Sequence, residues 1–277
     1  GVWGAQQWMD SINGELRTFY QMGGREAISL AKASFESWIN GYDDSGMPNR
    51  RISFYTKGYL VTMLLDWTIR MASEETANLD LVIRDMYQQI AKAGRGYTRA
   101  DYQGLAEQYA GISLHDFFEK YIEGLEELTP ALAEMGAYYG LQLTAVPAPT
   151  QSETWWGLVL EATTKYPVRV ERVWPDSPAA NAGLSPGDEI VSLNGYQFNS
   201  SPEALIQYLD TSQPVQVHYF HQGRLRETTL QRPSRPVASI PQFVVSYQQS
   251  PVQRERLHKW RAVGLAQSAM PNLQHGS

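Results

Sequence analysis

Asp176-Ser-Pro-Ala-Ala-Asn-Ala-Gly-Leu-Ser-Pro-Gly-Asp-Glu-Ile-Val-Ser-Leu-Asn-Gly195 decides the fold of the second half of this 277-residue chain. Ser177 and Pro178 can open a short helix, since a serine hydroxyl accepts from first-turn N–H groups and proline fits the first helical position. Gly183 ends that helix. Pro186-Gly187 makes a tight turn, and Asn194-Gly195 suits a type I′ hairpin turn, whose two central residues both need positive φ. On either side the apolar period is two, which predicts strands at Val168 to Val173 and Val215 to Phe220. This half is mainly β.

Within the quoted stretch, serine-proline-alanine, alanine-glycine-leucine, glycine-aspartate and asparagine-glycine stand at the spacing of a PDZ domain, which the stretch resembles. The resemblance implies a small β-barrel-like domain that takes up an extended peptide as an extra strand beside a sheet edge. Backbone N–H groups of one loop then receive the peptide's C-terminal carboxylate. Trp155-Trp156-Gly157-Leu158-Val159 is similar to that loop, which makes Trp156, Gly157, Leu158 and Val159 candidate peptide-binding residues. Gly157 would let backbone approach the ligand. Leu158 and the helix Pro202 to Leu209, with Leu205 on it, would shape the pocket for the last side chain. Packing of the tryptophans against the first domain is the alternative reading. Gly183, Gly187, Asp188 and Gly195 are read as structural.

From Trp3 to about Gly140 the apolar spacing is helical. Leu79, Val82, Ile83, Met86, Tyr87 and Ile90 fall on one stripe, and Leu114, Phe117, Phe118, Tyr121 and Ile122 on another, with Ser113 and Asp116 placed like a capping box. Trp8, Ile12, Leu16 and Phe19 mark an earlier helix ended by Met22-Gly23-Gly24. The stretch from Tyr59 to Ile69 is apolar on nearly every face, which predicts a central helix. Ala-Val-Pro-Ala-Pro-Thr-Gln-Ser at 145–152 has linker composition. The expected organisation is multidomain α and β: a helical domain over 1–144, a linker over 145–152, the β domain over 153–233, and a tail over 234–277. The tail holds a strand at Phe243 to Tyr247 and a helix from Pro251 to about Leu265.

Four segments of the helical half carry a second resemblance. Ile52-Ser-Phe-Tyr-Thr-Lys-Gly-Tyr-Leu-Val61, Leu64-Leu-Asp-Trp-Thr-Ile-Arg70, Ala33-Ser-Phe-Glu-Ser-Trp-Ile39 and Asp116-Phe-Phe-Glu-Lys-Tyr-Ile-Glu-Gly124 resemble segments of the glycyl aminopeptidase family, gluzincin-type metallopeptidases. The resemblance implies the all-helical C-terminal part of a bacterial peptidase domain that removes N-terminal residues from peptides with zinc. It also implies that the PDZ domain binds peptide or restricts substrates. In that family an H-E-x-x-H helix and a more distant glutamate hold the metal. No H-E-x-x-H occurs here, and the histidines are His115, His218, His221, His258 and His275. His218 and His221, in a predicted strand and turn, are read as ordinary surface residues. The chain begins at Gly1 rather than Met, so the zinc site and any targeting segment are expected upstream. By itself the chain is expected to bind no metal and to be inactive.

The resemblance implies one catalytic residue. Tyr55 aligns with the tyrosine of a Tyr-x-Lys-Gly pattern that donates a hydrogen bond to the oxyanion of the tetrahedral intermediate. Lys57 and Gly58 are read as structural, with Lys57 solvated or paired. Asp66 and Arg70, at i and i+4, form a helix ion pair contributing about 0.2–0.5 kcal/mol.

Composition removes several alternatives. A net charge of −6 and a pI near 5.4 argue against nucleic acid, which needs a surplus of basic residues on one face. The absence of cysteine excludes disulfides and thiolate metal sites, and leaves both cytoplasm and periplasm open. No membrane span is expected, since the apolar run Gly58 to Met71 is interrupted by Asp66 and Arg70. The expected partners are peptide substrates or peptide C-termini, and the upstream part of the catalytic domain. A non-catalytic PDZ-containing binding module is the alternative function.

Overall fold

The computed structural model describes residues 4–38, 52–162, 165–197 and 201–266. Helices α1 (Ala5–Tyr20), α2 (Leu30–Phe35), α3 (Phe54–Ala72), α4 (Leu79–Met86), α5 (Arg99–Ala110), α6 (His115–Phe118) and α7 (Leu128–Tyr138) come first. Helices α4 and α6 run on into π-helical turns, Tyr87–Ala91 and Glu119–Glu123. There follow β1 (Leu141–Pro147), α8 (Gln151–Trp156), β2 (Leu158–Leu160), β3 (Val168–Val173), α9 (Pro178–Asn181), β4 (Glu189–Leu193) and β5 (Tyr196–Gln197). Last come α10 (Pro202–Tyr208), β6 (Val215–His221), β7 (Arg224–Leu230), β8 (Ser239–Val245) and α11 (Pro251–Ala266). A helical part thus precedes a β-rich one. The stretch 145–152, expected as linker, holds the end of β1 and the start of α8, and buries Ala148 and Ser152.

The chain divides into two compact units, one built from Gly1–Leu16, Tyr55–Thr144 and Gln242–Ser277, the other from Arg17–Phe54 and Ala145–Pro241. The first is assembled around α3, whose Leu60, Val61, Met63, Leu64, Leu65, Trp67 and Ile69 are all buried, as its apolar sequence on every face requires. Phe243 and Trp260 of the tail belong to this core. Trp67 packs against Tyr139, Phe243 and Trp260, at centroid distances of 5.3, 5.8 and 4.8 Å, and Trp260 also meets Trp8 at 4.7 Å. Asn13 exchanges two hydrogen bonds with the Phe243 backbone, Nδ2 to O at 3.0 Å and N to Oδ1 at 2.8 Å. Gly136 makes room for the ring, because a Cβ there would lie 2.6 Å from Phe243.

Two expectations for this unit are revised. Asp66 and Arg70 form the expected i,i+4 ion pair, Nε to Oδ2 at 2.8 Å, but a buried one, with Arg70 6% and Asp66 14% exposed at the side chain. Asp66 also accepts from Leu79 N (2.9 Å) and Trp260 Nε1 (3.0 Å), so one carboxylate ties α3 to α4 and α11. Ser113 and Asp116 form no capping box: the N-cap of α6 is Leu114 with no side-chain bond, Ser113 Oγ accepts from the first-turn His115 N at 3.3 Å, and Glu107 accepts from Ser113 Oγ and Leu114 N. On the α4 stripe Val82 and Ile90 are buried, whereas Ile83 and Tyr87 are more than half exposed.

The second unit is an antiparallel sheet in the order β2-β3-β4-β6-β7, with β5 hairpinned onto β4. Its turns follow the sequence. Ser177 accepts from Ala180 N to open α9, and Asn194 and Gly195, at φ 49° and 78°, close the β4–β5 hairpin. The sheet's inner residues, among them Val168, Val170, Ile190, Val215, Val217 and Leu230, form one core with Trp156, Leu158 and Ile206.

Candidate functional site

Tyr55 is the second residue of α3 and is 69% exposed. Tyr59 and Thr62, at i+4 and i+7, share its face, so the one helix buried almost everywhere shows solvent a single stripe that starts at Tyr55. Burial raises the Tyr59 pKa, and Glu15 adds to the effect. Lys57, expected to be solvated or paired, is 1% exposed. Burial lowers the pKa of its ammonium, and Glu127 partly offsets this. Among the described residues no group of three His, Cys, Asp or Glu could hold a metal ion. The described residues therefore offer no zinc site.

Of the peptide-binding candidates, Trp156 ends α8, Gly157 follows it, Leu205 lies on α10, and Leu158 and Val159 start β2, which is a terminal strand of its sheet among the described residues. β2 pairs with β3 through Leu158↔Val173 and Val159↔Arg172, and the Gly157 carbonyl accepts from Trp174 N at 2.8 Å. Backbone groups alternate along a strand, so the Gly157 carbonyl faces β3 and the N–H and C=O of Leu158 point away from β3. Whole-residue burial divides the candidates. Trp156 and Leu158 are each 1% exposed and belong to the core, while Val159 and Leu205 are half-buried, with Leu205 packed against that core.

Trp155 and Trp156 are not loop residues, because they close helix α8. Thr150 caps that helix by accepting from Glu153 N, and Glu203 of α10 accepts from the N–H groups of Gln151 (2.8 Å) and Ser152 (3.3 Å) and from the Ser152 hydroxyl. Gly157 ends it in the left-handed conformation, φ 67°, with its N–H donated to Glu153 O at 3.0 Å. A Cβ on Gly157 would lie 2.3 Å from Ser177 Cβ, so the glycine is demanded by packing on the start of α9. The Glu153 carboxylate is buried, accepting from Gln21 Nε2 (2.8 Å) and Trp174 Nε1 (3.1 Å).

Between α8 and α10 lies an open pocket of about 460 Å³, lined by Trp155, Trp156, Ile206, Leu209 and Arg232 among others. The Arg232 guanidinium stacks 3.6 Å from the Trp155 ring centroid and donates to Thr211 Oγ1 at 3.0 Å. The Trp156 indole N–H is buried with no hydrogen-bond partner among the described residues. Arg232, Glu153 and Glu203 were not singled out from the sequence. For Glu153 a signal existed, since Thr150-x-x-Glu153 is a helix-capping pattern.

Residues 1–61, which include Tyr55, match the M61 glycyl aminopeptidase family. Residues 169–218, from β3 into β6, match a PDZ domain family. Among solved structures the chain is similar to an aminopeptidase N family protein from Idiomarina loihiensis, at 22% identity and a TM-score of 0.78, over 94% of this chain and 45% of that one. The chain thus spans less than half the length of that protein, and the likeness establishes the fold. A serine endoprotease from Yersinia pestis matches 31% of this chain and 29% of its own, at 23% identity and a TM-score of 0.25. The PDZ domain of EpsC from Vibrio cholerae matches 38% of this chain and 90% of its own, at 16% identity and a TM-score of 0.21. No curated protein matches the chain. No helix among the described residues is long and apolar enough to cross a membrane.

Proposed function

We propose that this chain is the C-terminal part of a zinc-dependent aminopeptidase whose metal is held by residues outside the chain, and that its PDZ domain binds peptide. The observation that carries this reading is the family match over residues 1–61 together with the position of Tyr55, which stands exposed at the head of a helix otherwise buried. A phenolic hydroxyl placed so can donate to the carbonyl oxygen of a peptide as that oxygen gains negative charge in the tetrahedral intermediate. Such a bond is stronger in the transition state than in the ground state, so its loss falls on turnover. Zinc would supply polarisation of the carbonyl and the attacking water; the residues of this chain provide donation, packing and peptide capture.

The test is Tyr55→Phe in the complete, zinc-loaded enzyme, a change that removes the hydroxyl and keeps the ring. We expect kcat to fall by roughly 10² to 10³, the size of losing an oxyanion donor, with KM little changed. An unchanged kcat would return Tyr55 to a packing role. Metal analysis of this chain by itself, after dialysis against a weak chelator, should find no stoichiometric zinc. About one retained zinc per chain would contradict the placement of the metal site elsewhere.

A further inference from the structure

We infer that β7, at the other end of the sheet from β2, takes an extended segment of another polypeptide as an added strand, and that Arg224 and Arg226 select a segment with acidic side chains at alternate positions.

β7 pairs with a single neighbour, β6, over its whole length, from Val215↔Leu230 to His221↔Arg224. Gln222 and Gly223, at φ 49° and 75°, join the two strands as a two-residue turn of the type I′ kind, and the pair flanking such a turn exchanges both backbone hydrogen bonds. Arg224, Arg226, Thr228 and Leu230 therefore turn their N–H and C=O groups to β6. Leu225, Glu227 and Thr229 turn theirs away from it. Among the described residues none of those outward groups has a backbone partner. The strand is also uncovered there: Leu225 is 61% exposed, and Glu227 and Thr229 are exposed as well.

An edge with free donors and acceptors is a template for another strand, which is why soluble proteins shorten, bulge, cover or charge such edges, or break them with proline. β7 runs seven residues in unbroken register and holds no proline. Charge is the protection it has, and the way that charge is placed admits one kind of partner. Residues paired across strands share a face, so Arg224, Arg226, Thr228 and Leu230 lie on the face of Val215, Val217 and Tyr219. Arg224 and Arg226 are exposed, and among the described residues neither makes an ion pair or a hydrogen bond. Glu227, the only acid of β7, lies on the opposite face and accepts from Gln216 Nε2 at 2.7 Å. A second copy of β7 would leave both arginines unpaired. A strand with acids two residues apart sets each beside an arginine, at the spacing where opposite charges across strands attract. Leu225 adds apolar contact on the other face.

The experiment pans the intact chain against random peptides displayed with scaffold on both sides. Binders should carry Asp or Glu at i and i+2, and titration with one of them should shift the amide resonances of Leu225, Glu227 and Thr229. Arg224→Gln combined with Arg226→Gln should weaken it about tenfold or more, and added salt should weaken it too. Glu227→Pro removes one outward N–H and no bond to β6, so it should abolish binding with the far-ultraviolet circular dichroism unchanged. The double arginine variant changes only exposed side chains and decides the matter should the proline variant fail to fold. An empty screen would overturn the inference. Binders that these variants leave within about twofold would overturn it as well, while leaving standing the reading that the PDZ domain binds peptide elsewhere. A dimer of the chain that Glu227→Pro dissociates would give the edge to a second copy and overturn the acidic partner.

Discussion

Replacing Asp66 by asparagine asks whether the helical unit is built around a buried charge. Were Asp66 and Arg70 a solvated i,i+4 pair, its removal would cost about 0.2–0.5 kcal/mol. In the structure the carboxylate accepts from Arg70 Nε at 2.8 Å, Leu79 N at 2.9 Å and Trp260 Nε1 at 3.0 Å, and Arg70 is 6% exposed at its side chain. Asparagine keeps the volume and one acceptor oxygen, enough for Leu79. Its amide nitrogen would face Arg70 and Trp260 as a donor opposite donors, leaving a buried guanidinium short of an anion. Removing one partner of a buried pair costs about 3–5 kcal/mol. Glu75 softens this, because its Oε2 stays 3.5 Å from Arg70 Nη1. We therefore expect about 3 kcal/mol. For a urea slope near 2 kcal/mol/M, that lowers the midpoint of the helical unit's transition by ~1.5 M, with the slope preserved. Urea titration followed by far-ultraviolet circular dichroism and tryptophan fluorescence measures it. A loss under about 1 kcal/mol would refute the buried-network argument. The double change Asp66→Leu with Arg70→Met, which removes both charges, should recover much of the loss.

Trp260→Ala removes the indole that meets Trp8, Trp67 and Tyr139 and donates to Asp66. With the ring half-buried, we expect about 2–3 kcal/mol in the same titration, somewhat below the ~3–5 kcal/mol of a fully buried tryptophan. Trp260→Phe, which keeps a ring and loses the donor, should cost about 1 kcal/mol. A silent Trp260→Ala would show that α11 does not hold the unit together. Asp101 should titrate at about 2, depressed by hydrogen bonds from the Thr98 hydroxyl and backbone N–H and by Arg95. Since its folded pKa lies below the unfolded value of about 3.9, its contribution to the N-terminus of α5 is present above ~pH 4 and is lost as pH falls through about 2. The Asp101 carboxyl carbon shift against pH reports this directly, and a midpoint near the ordinary aspartate value would contradict it.

The turns of the β domain were legible because they depend on single residues: Gly183 at φ 81°, Gly187 at φ 90° and Asn194-Gly195 each occupy conformations that few other residues accept. Helix α3 was legible because apolar residues on all its faces leave no other place for it. Asp66 was not, since its spacing to Arg70 is the same in a surface pair. What buries it is Trp260, 194 residues further on, and local periodicity holds no trace of that contact. The capping patterns show how little separates a true local signal from a false one. Thr98-x-x-Asp101 is a complete capping box and Thr150-x-x-Glu153 opens α8, whereas Ser113-x-x-Asp116 forms no box: Ser113 Oγ accepts only from His115 N, and Glu107 takes the Leu114 N–H. The consequence is greatest at Trp155-Trp156-Gly157. Those residues match a peptide-binding loop in type and order, but Thr150 at one end and Gly157 at the other wind them into a helix. The match survives at the level of residues. The conformation does not, because Trp155 and Trp156 close α8 and Gly157 gives its N–H to Glu153 O.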